Sequence, residues 1–344
     1  MKTSHWNNLL KIIDGELLPE TPVAFIIDSP WLPGWHGIST LNYYSSEKLW
    51  MEANLHAEKT FPDVMFMPGF WSEFAMCTEP SAFGARMIWH EMDLPFAETL
   101  INDISQVNNI KEPNPKTDGL LPFIIQRLVN CQPEIQKAGY EIKFAIARGP
   151  LNIASFLLGS SEFMMAMMMD PDNTHKLLEK ITRFTISWLE YQKETFPSID
   201  GILILDDIVG FVGDDECSNF AAPYLKRIFS SFDARVNFFH NDAQGLVSTP
   251  YLKEIGVNLF NFSYEHSLQE IRDLAGEDIT LLGNLPPRDV LAAGTPEQVY
   301  EDTKKMYRSI EDKRHILWSV GGGMPPGVPT KNIMEFIRAI RNVL

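Results

Sequence analysis

The stretch RVNFFHNDAQGL, residues 235–246, decides the fold. It begins as a short apolar strand and ends abruptly in His240, Asn241 and Asp242, followed by a turn that contains Gly245. Alternate side chains of an extended backbone point to the same face, so His240 and Asp242 lie side by side at the carboxyl end of the strand. In a parallel α/β barrel, active sites are built at this end of the strands. The stretch therefore predicts a barrel strand with an imidazole and a carboxylate at its mouth.

Similar apolar segments recur along the chain, and most are followed by a helical pattern. They are PVAFIID (22–28), VMFMPG (64–69), EIKFAIARGP (141–150), GILILDDIVG (201–210), RVNFFHND (235–242), VNLFNFS (257–263), ITLLGNLP (279–286) and HILWSVGGG (315–323). Near-continuous apolar runs are typical of parallel strands buried on both faces, and alternating strands and helices predict a parallel sheet. We therefore expect one α/β domain over residues 1–344, a (β/α)8 TIM-type barrel. The alternative is an open doubly wound sheet.

Two helical segments add to this architecture. An amphipathic pattern at residues 4–13 predicts an N-terminal helical extension to the barrel. The run MMAMMM, residues 164–169, is interpreted as flexible core packing, because methionine adapts to irregular gaps.

Composition narrows the class of protein. The 344 residues carry a net charge of −16 and are 45% hydrophobic, which supports a full core and argues against nucleic acid or an anionic membrane as partner. No apolar run reaches the roughly 20 residues that span a bilayer. Cys77, Cys131 and Cys217 are far apart without CxxC spacing, which indicates neither a disulfide framework nor a thiolate metal site. We therefore expect a soluble protein of the reducing cytoplasm.

Polar side chains close several of the predicted strands and are the candidates for catalysis. Asp206 and Asp207 follow one strand, and alternation allows only one of them to face the barrel interior; the sequence does not distinguish them. Either could cap a helix or form a buried salt bridge, or could act as a general acid or ligand near His240. Imidazole and carboxylate ligands suit zinc or another divalent metal. His240 and Asp242 are the candidate metal ligands, with a third from Asp206, Asp207 or Glu265.

Large rings near the first two strand ends indicate an apolar substrate such as an aromatic ring, although such rings are also common in cores and lids. The candidate substrate-binding residues combine these rings with polar groups at strand ends: Asp28, Trp31, Trp35, His36, Phe70, Trp71, Arg148 and Asn284. Gly321 to Gly323 form either a tight turn or a place where the backbone approaches a ligand closely.

One segment adds a family resemblance. GNLPPRDVLAAGTPEQV, residues 283–299, resembles the GN-hydrophobic-x-PRDVL-x-x-GTPEEV signature of the uroporphyrinogen decarboxylase superfamily. Residues 147–159, 206–229 and 315–333 resemble further segments of that superfamily. The resemblance implies a (β/α)8 barrel and one of two activities, which are decarboxylation of uroporphyrinogen and methyl transfer to or from a corrinoid protein.

The resemblance is closer to the methyltransferases. In the decarboxylases, an early RQAGR element neutralises the many carboxylates of the substrate, whereas IIDSPWLPGW, residues 26–35, contains no arginine. In the thiol-activating methyltransferases, zinc is held by HxC and by a later cysteine in GCG. Here His240 matches the histidine, while Asp242 and Gly322 stand at the two cysteine positions.

The resemblance therefore implies a corrinoid-dependent methyltransferase that acts on the substrate side. It would move a methyl group from a methoxylated, aromatic substrate to the cobalt of a separate corrinoid protein, since the chain has no DxHxxG cobalamin element. His240, Asp206 and Asp207 are the expected catalytic residues, zinc is the expected metal, and a homodimer is possible. The alternatives are a decarboxylase of a less acidic tetrapyrrole and a non-catalytic barrel that binds a corrinoid or another flat ligand.

Overall fold

The structure is a computed structural model that describes residues 1–342. Its strands are β1 (Ala24–Ile26), β2 (Met65–Met67), β3 (Met87–Ile88), β4 (Phe96–Ala97), β5 (Phe144–Arg148), β6 (Gly201–Leu205), β7 (Val236–Asn241), β8 (Leu259–Phe262), β9 (Thr280–Leu285) and β10 (Ile316–Val320). Its α-helices are α1 (Thr3–Ile13), α2 (Leu32–His36), α3 (Thr40–Ser45), α4 (Glu47–Thr60), α5 (Thr78–Ala82), α6 (Leu121–Lys137), α7 (Pro150–Leu158), α8 (Ser160–Met169), α9 (Pro171–Thr195), α10 (Asp214–Glu216), α11 (Ala222–Phe229), α12 (Leu252–Ile255), α13 (Leu268–Ala275), α14 (Pro296–Arg308) and α15 (Thr330–Arg341).

Eight of the strands are parallel and follow one another in chain order. β5 to β10 form a six-stranded sheet, and β1 pairs with β2. The N–H of Trp318 in β10 donates to the Pro22 carbonyl at 3.2 Å, which brings β1 beside β10. Within residues 1–342, no ladder of hydrogen bonds joins β2 to β5. The order confirms the predicted TIM-type barrel, because a doubly wound sheet would reverse its order at a switch point.

The barrel interior is filled by alternate side chains of the strands, as the pleat requires. Trp6 of α1 belongs to the same buried cluster, and its ring lies 5.5 Å from that of Phe144. The predicted N-terminal extension therefore plugs the amino end of the barrel. The interior cluster includes Met1, Trp6, Leu9 and Ile12 from the N-terminal segment, and Ala24, Ile26, Phe144, Leu203, Leu205, Val236, Phe238, Leu259, Leu282 and Leu317 from the strands.

We expect Trp6→Ala to lower the free energy of unfolding by about 3–5 kcal/mol, because it removes a large ring that is 2% exposed and leaves a cavity at the plug. Urea unfolding followed by circular dichroism measures the change. Leu17→Ala, at a side chain that is 66% exposed, is the control and should change stability by less than about 0.5 kcal/mol. Equal effects of the two substitutions would contradict the role of α1 as a plug.

The methionine run corrects one prediction. Met167 is buried, but Met165, Met168 and Met169 are 53%, 78% and 83% exposed, so core packing is the wrong description of these three. The reason is geometric, since α8 has 3.6 residues per turn and five methionines within six positions occupy all sides of it. Only one side packs against the rest of the protein.

No single helix among residues 1–342 is long and apolar enough to cross a membrane, and only α7 with α8, bent by 107°, would qualify as a broken span on length and composition.

Candidate active site

The carboxyl ends of β6 and β7 bring together Asp207, His240 and Asp242. Asp207 continues the inward alternation of Leu203 and Leu205, and His240 and Asp242 continue that of β7. His240 Nε2 lies 3.6 Å from Asp207 Oδ1 and 3.9 Å from Asp242 Oδ2. The imidazole is buried, while the two carboxylates are partly exposed. We call these three residues the triad; it joins the barrel interior to its open mouth.

Asn261 of β8 sets the proton position on His240. Its side-chain nitrogen donates to the carbonyls of Leu282 (2.6 Å) and Val320 (3.2 Å), so both amide hydrogens are used. The amide oxygen, 2.8 Å from His240 Nδ1, can then only accept. From this network we assign the proton to Nδ1, which leaves the lone pair of Nε2 directed at the carboxylates.

The geometry of the triad fits a metal ion. Three lone-pair atoms lie within 4.8 Å of one another. Burial, the largest cause, and the charge of Asp207 raise the pKa of Asp242, while His240 acts in the opposite direction. A divalent ion bound by nitrogen and oxygen at about 2.0–2.2 Å requires ligand atoms about 3–4 Å apart. The triad could therefore hold such an ion, which would offset the crowding of electron pairs.

Asp206 has a different position from Asp207. Its two carboxylate oxygens accept the backbone N–H groups of Leu151 and Asn152, each at 2.9 Å, at the start of α7. Burial raises the pKa of Asp206, and the two backbone hydrogen bonds oppose that shift. The question left open by the sequence is thus answered: Asp207 faces the mouth, and Asp206 caps a helix outside it. We leave Asp206 out of the catalytic set.

We expect Asp206→Ala to destabilise the fold by about 1–3 kcal/mol, because two buried N–H groups lose their acceptor. Metal content per folded molecule should not change. Asp170→Ala removes a more exposed cap of α9 and is the control, with an expected loss of about 0.5–1 kcal/mol. Thermal unfolding and elemental analysis of the same samples test both statements, and loss of metal without loss of stability would refute the capping role.

In the loop after β10, Gly322 lies against Asp242 of the triad, at the position where the thiol-activating relatives have a cysteine ligand. Gly322 has a backbone φ of +128°, and a Cβ placed on it would lie 2.6 Å from Asp242 Oδ2. A side chain at this position would therefore collide with the carboxylate. Asp242 occupies the space next to Gly322, so a ligand side chain at residue 322 is incompatible with the observed position of Asp242.

Two of the predicted site residues lie beside the triad but outside it. Glu265 belongs to the loop after β8, and Asn284 donates a hydrogen bond to the backbone carbonyl of His266 in the same loop. Both line a surface pocket against α14. Among the described residues, Glu265 is not in the group that could hold a metal, and Asp207, another of the three candidates for the third ligand, takes that position.

Most of the predicted aromatic contacts belong to the helical layer. Trp31 is fully buried and donates to the Val328 carbonyl at 3.0 Å, and Trp35 stacks on it at 4.8 Å. His36 faces His56, with 2.9 Å between their Nδ1 atoms. These three residues have the contacts of core or surface positions, and we leave them out of the proposed site.

Phe70 and Trp71 belong to different parts of the core. Phe70 packs on Tyr140, with ring centres 5.4 Å apart, in the outer core. Trp71 belongs to the interior cluster, and the Arg148 guanidinium lies 5.9 Å from its ring. Trp71 and Arg148 therefore remain candidates for substrate contact.

A cluster of buried polar side chains lies around Asp28 and next to Arg148. The sequence did not predict this cluster. Burial, the largest cause, and the charge of Glu73 raise the pKa of Asp28, whereas Arg148 lowers it. Burial likewise raises the pKa of Glu79. Six buried atoms here have no hydrogen-bond partner among the described residues, although such groups are normally satisfied: Asp28 Oδ1, Ser29 Oγ, Tyr44 Oη, Glu73 Oε1, Glu79 Oε2 and Arg127 Nε. We call this set the inner polar group.

The only sequence signal for the inner polar group is a pair of acidic residues, Glu73 and Glu79, in the mainly apolar segment after β2. Asp242 contributes to the raised pKa of Asp28, so the inner polar group is an electrostatic neighbour of the triad. Arg127 and Arg148 lie beside the three carboxyl groups of the inner polar group, and burial raises the pKa of all three carboxyl groups.

The fold and the triad define a TIM-type barrel with side chains at its carboxyl mouth that could ligate a metal ion. The sequence profile of the family described as "Uroporphyrinogen decarboxylase (URO-D)" matches residues 7–343. The chain belongs to this family, as the sequence segments predicted.

Relatives with two activities are similar to the chain. The uroporphyrinogen decarboxylase of Prochlorococcus marinus (strain MIT 9312) is 23% identical over 253 residues, 70% of each chain. The methylated-thiol–coenzyme M methyltransferase of Methanosarcina mazei is 21% identical over 274 residues, 78% of this chain and 71% of that protein. A solved methyltransferase from Methanosarcina mazei superposes with a TM-score of 0.80 at 17% identity and covers 96% of both chains, which supports the fold. These relatives indicate an enzyme of this superfamily.

Proposed function

We propose that the protein is a methyltransferase that moves a methyl group from a methoxylated, aromatic substrate to the cobalt(I) of a separate corrinoid protein. The observation that supports this proposal is the imidazole–carboxylate triad at the barrel mouth, where Asp242 occupies the space beside Gly322. The family resemblance implies that thiol-activating relatives have cysteines at the positions of Asp242 and Gly322. A harder set of oxygen and nitrogen ligands suits an ether oxygen better than a thiol.

The reaction requires stabilisation of a leaving oxygen. The bond between methyl carbon and oxygen breaks, the methyl group passes to cobalt, and the electron pair stays on the oxygen as an alkoxide or phenolate. A divalent ion held by His240, Asp207 and Asp242 would supply Lewis-acid stabilisation of that charge. The residues of the chain do the positioning: Asn261 orients the imidazole, and the partly exposed carboxylates of the triad face the mouth.

The remaining mouth residues would orient the substrate ring. Trp71 offers an apolar face, and among the described residues no carboxylate oxygen lies within 4.0 Å of the Arg148 guanidinium nitrogens. Arg148 pairs in register with Leu205, and Leu205 with His240, so Arg148 and His240 lie in one layer two strands apart, about 10 Å. A ligand of one substituted ring could span this distance.

Charge argues against decarboxylation of uroporphyrinogen as the reaction. The triad contains Asp207 and Asp242, and the inner polar group contains Asp28, Glu73 and Glu79, whereas the neighbouring cations are Arg127 and Arg148. A substrate with many carboxylates would find only these two arginines to pair with, among five carboxyl groups in a partly desolvated site. Methyl transfer from an uncharged ether does not meet this obstacle.

The test begins with elemental analysis of the purified protein. Methoxyarenes and methylamines are then offered together with a reduced corrinoid protein, and the absorbance of cobalt(I) is followed as the methyl group arrives. We expect bound zinc or another divalent metal, turnover with a methoxyarene, and loss of turnover after chelation. Uroporphyrinogen is assayed in parallel for loss of carboxyl groups. Decarboxylation, or ligand binding without any turnover, would overturn the proposal.

A further inference from the structure

One side of the carboxyl mouth is raised above the strand ends. α9 has 25 residues and is about 37 Å long, whereas β5 has five residues and is about 17 Å long. The Gln192 amide hydrogen-bonds the Ile146 backbone at 3.0 and 2.9 Å, so the last turns of α9 lie beside the middle of β5. Since α9 leads back to the amino end of β6, its first half and α8 extend beyond the mouth.

The long segment between β2 and α6 packs onto this extension. Lys180 of α9 donates to the carbonyls of Val107 (2.9 Å) and Ile110 (2.6 Å), and Phe83 packs on Phe184 with ring centres 5.0 Å apart. The Leu157 carbonyl at the end of α7 accepts the N–H groups of residues 100 and 101, just after the β3–β4 hairpin. The hairpin, α8 and the start of α9 thus form one wall beside the site.

The wall and the neighbouring loop carry exposed apolar side chains. We define the rim surface as residues 86–98, 160–176 and 211–216. Its exposed large apolar side chains are Trp89 (39%), Met92 (65%), Phe96 (51%), Met165 (53%), Met168 (78%), Met169 (83%) and Phe211 (67%). Phe211 ends the short turn that begins at Asp207, so the rim surface reaches the triad. Such a concentration of exposed apolar groups on one face marks an interaction site.

The rim surface is also strongly acidic. It contains nine carboxylate residues, at positions 91, 93, 98, 162, 170, 172, 214, 215 and 216, but only two Lys or Arg residues. One of these two, Arg86, is paired with Glu98 at 3.2 Å. An apolar centre with an acidic surround complements a partner face that is apolar at its centre and ringed by lysine and arginine.

We infer that the rim surface docks the corrinoid-carrying protein, with Met168 and Met169 at the apolar contact and the nine acidic residues steering a basic partner face. This inference rests on the proposed function, because methyl transfer requires the cobalt to approach the substrate from the open mouth. Flexible methionine side chains suit a contact that must form and release at each turnover.

The test compares two double variants. Met168→Lys with Met169→Lys removes the apolar contact and adds charge of the same sign as the partner. Leu274→Lys with Met334→Lys is the matched control, because these side chains are 42% and 49% exposed on α13 and α15, away from the rim surface. Each variant is assayed for methyl transfer to free cob(I)alamin and to the corrinoid protein, and its mass in solution is measured by light scattering.

We expect transfer to free cob(I)alamin to stay within about twofold of the unmodified chain for both variants. kcat/KM for the corrinoid protein should fall at least about tenfold in the rim variant alone, and that of the unmodified chain should decrease with added salt. An unchanged kcat/KM in the rim variant would overturn the inference, as would a rim variant that dissociates a dimer of the unmodified chain. Absence of transfer by the unmodified chain to both acceptors would instead refute the proposed function itself.

Discussion

His240→Ala is expected to lower the rate of methyl transfer from a methoxyarene by roughly 10²–10³-fold and to remove the bound metal. His240 supplies the only nitrogen of the triad, and its Nε2 lies 3.6 and 3.9 Å from the two carboxylate oxygens. Without it, the two aspartates would have to hold a divalent ion alone, at a site where burial already disfavours the ionised form of Asp242.

The experiment separates loss of the ligand from loss of the fold. His5→Ala is the matched control, because His5 is a partly buried histidine of α1 at the amino end of the barrel, outside both the triad and the rim surface. Metal content, single-turnover rate and thermal unfolding are measured for both variants. Unchanged methyl transfer in His240→Ala would remove this residue from the mechanism, whatever the effect on stability.

The sequence predicted the barrel because its strand signals are local. Runs such as GILIL and VNFF are apolar on both faces, and their spacing by helices leaves few arrangements. The same locality placed His240 and Asp242 on one face of β7. The choice between Asp206 and Asp207 was not local, because the flanking residues are apolar on both alternations. It depends on a tertiary contact, because the backbone N–H groups of Leu151 and Asn152 donate to the Asp206 carboxylate.

Other parts of the site depend on contacts between distant segments. Trp31 and Trp35 follow a strand end, as site residues do, but their partners Val328 and Thr330 are almost 300 residues away and draw them into the helical layer. Glu73 and Glu79 come from a segment without a recognisable motif, and they matter only because Asp28 and Arg148 fold beside them. Periodicity carries no information about such pairings.

Asn261→Leu is expected to weaken metal binding by roughly 10–100-fold, although Asn261 is not a ligand. The amide connects three segments: it accepts from His240 Nδ1 at 2.8 Å and donates to the Leu282 and Val320 carbonyls. A leucine of similar size would leave the imidazole free to carry its proton on Nε2, the atom that must be unprotonated to bind a metal. Competition with a chelator measures the affinity, and the nitrogen NMR shifts of His240 report its tautomer.

Asn332→Leu is the control for Asn261→Leu. It measures the loss of stability that follows from removing any buried asparagine, apart from an effect on the position of His240. Asn332 is also fully buried and also donates to two carbonyls, those of Leu291 (2.8 Å) and Gly294 (2.9 Å), but it does not contact the triad. Both variants should lose about 1–3 kcal/mol of stability, because each removes a buried side-chain amide that donates to two backbone carbonyls. Only Asn261→Leu should shift the His240 tautomer and the metal affinity. If the two variants bind metal equally well, the imidazole is held by its packing and not by Asn261, and the lone pair on Nε2 needs another explanation.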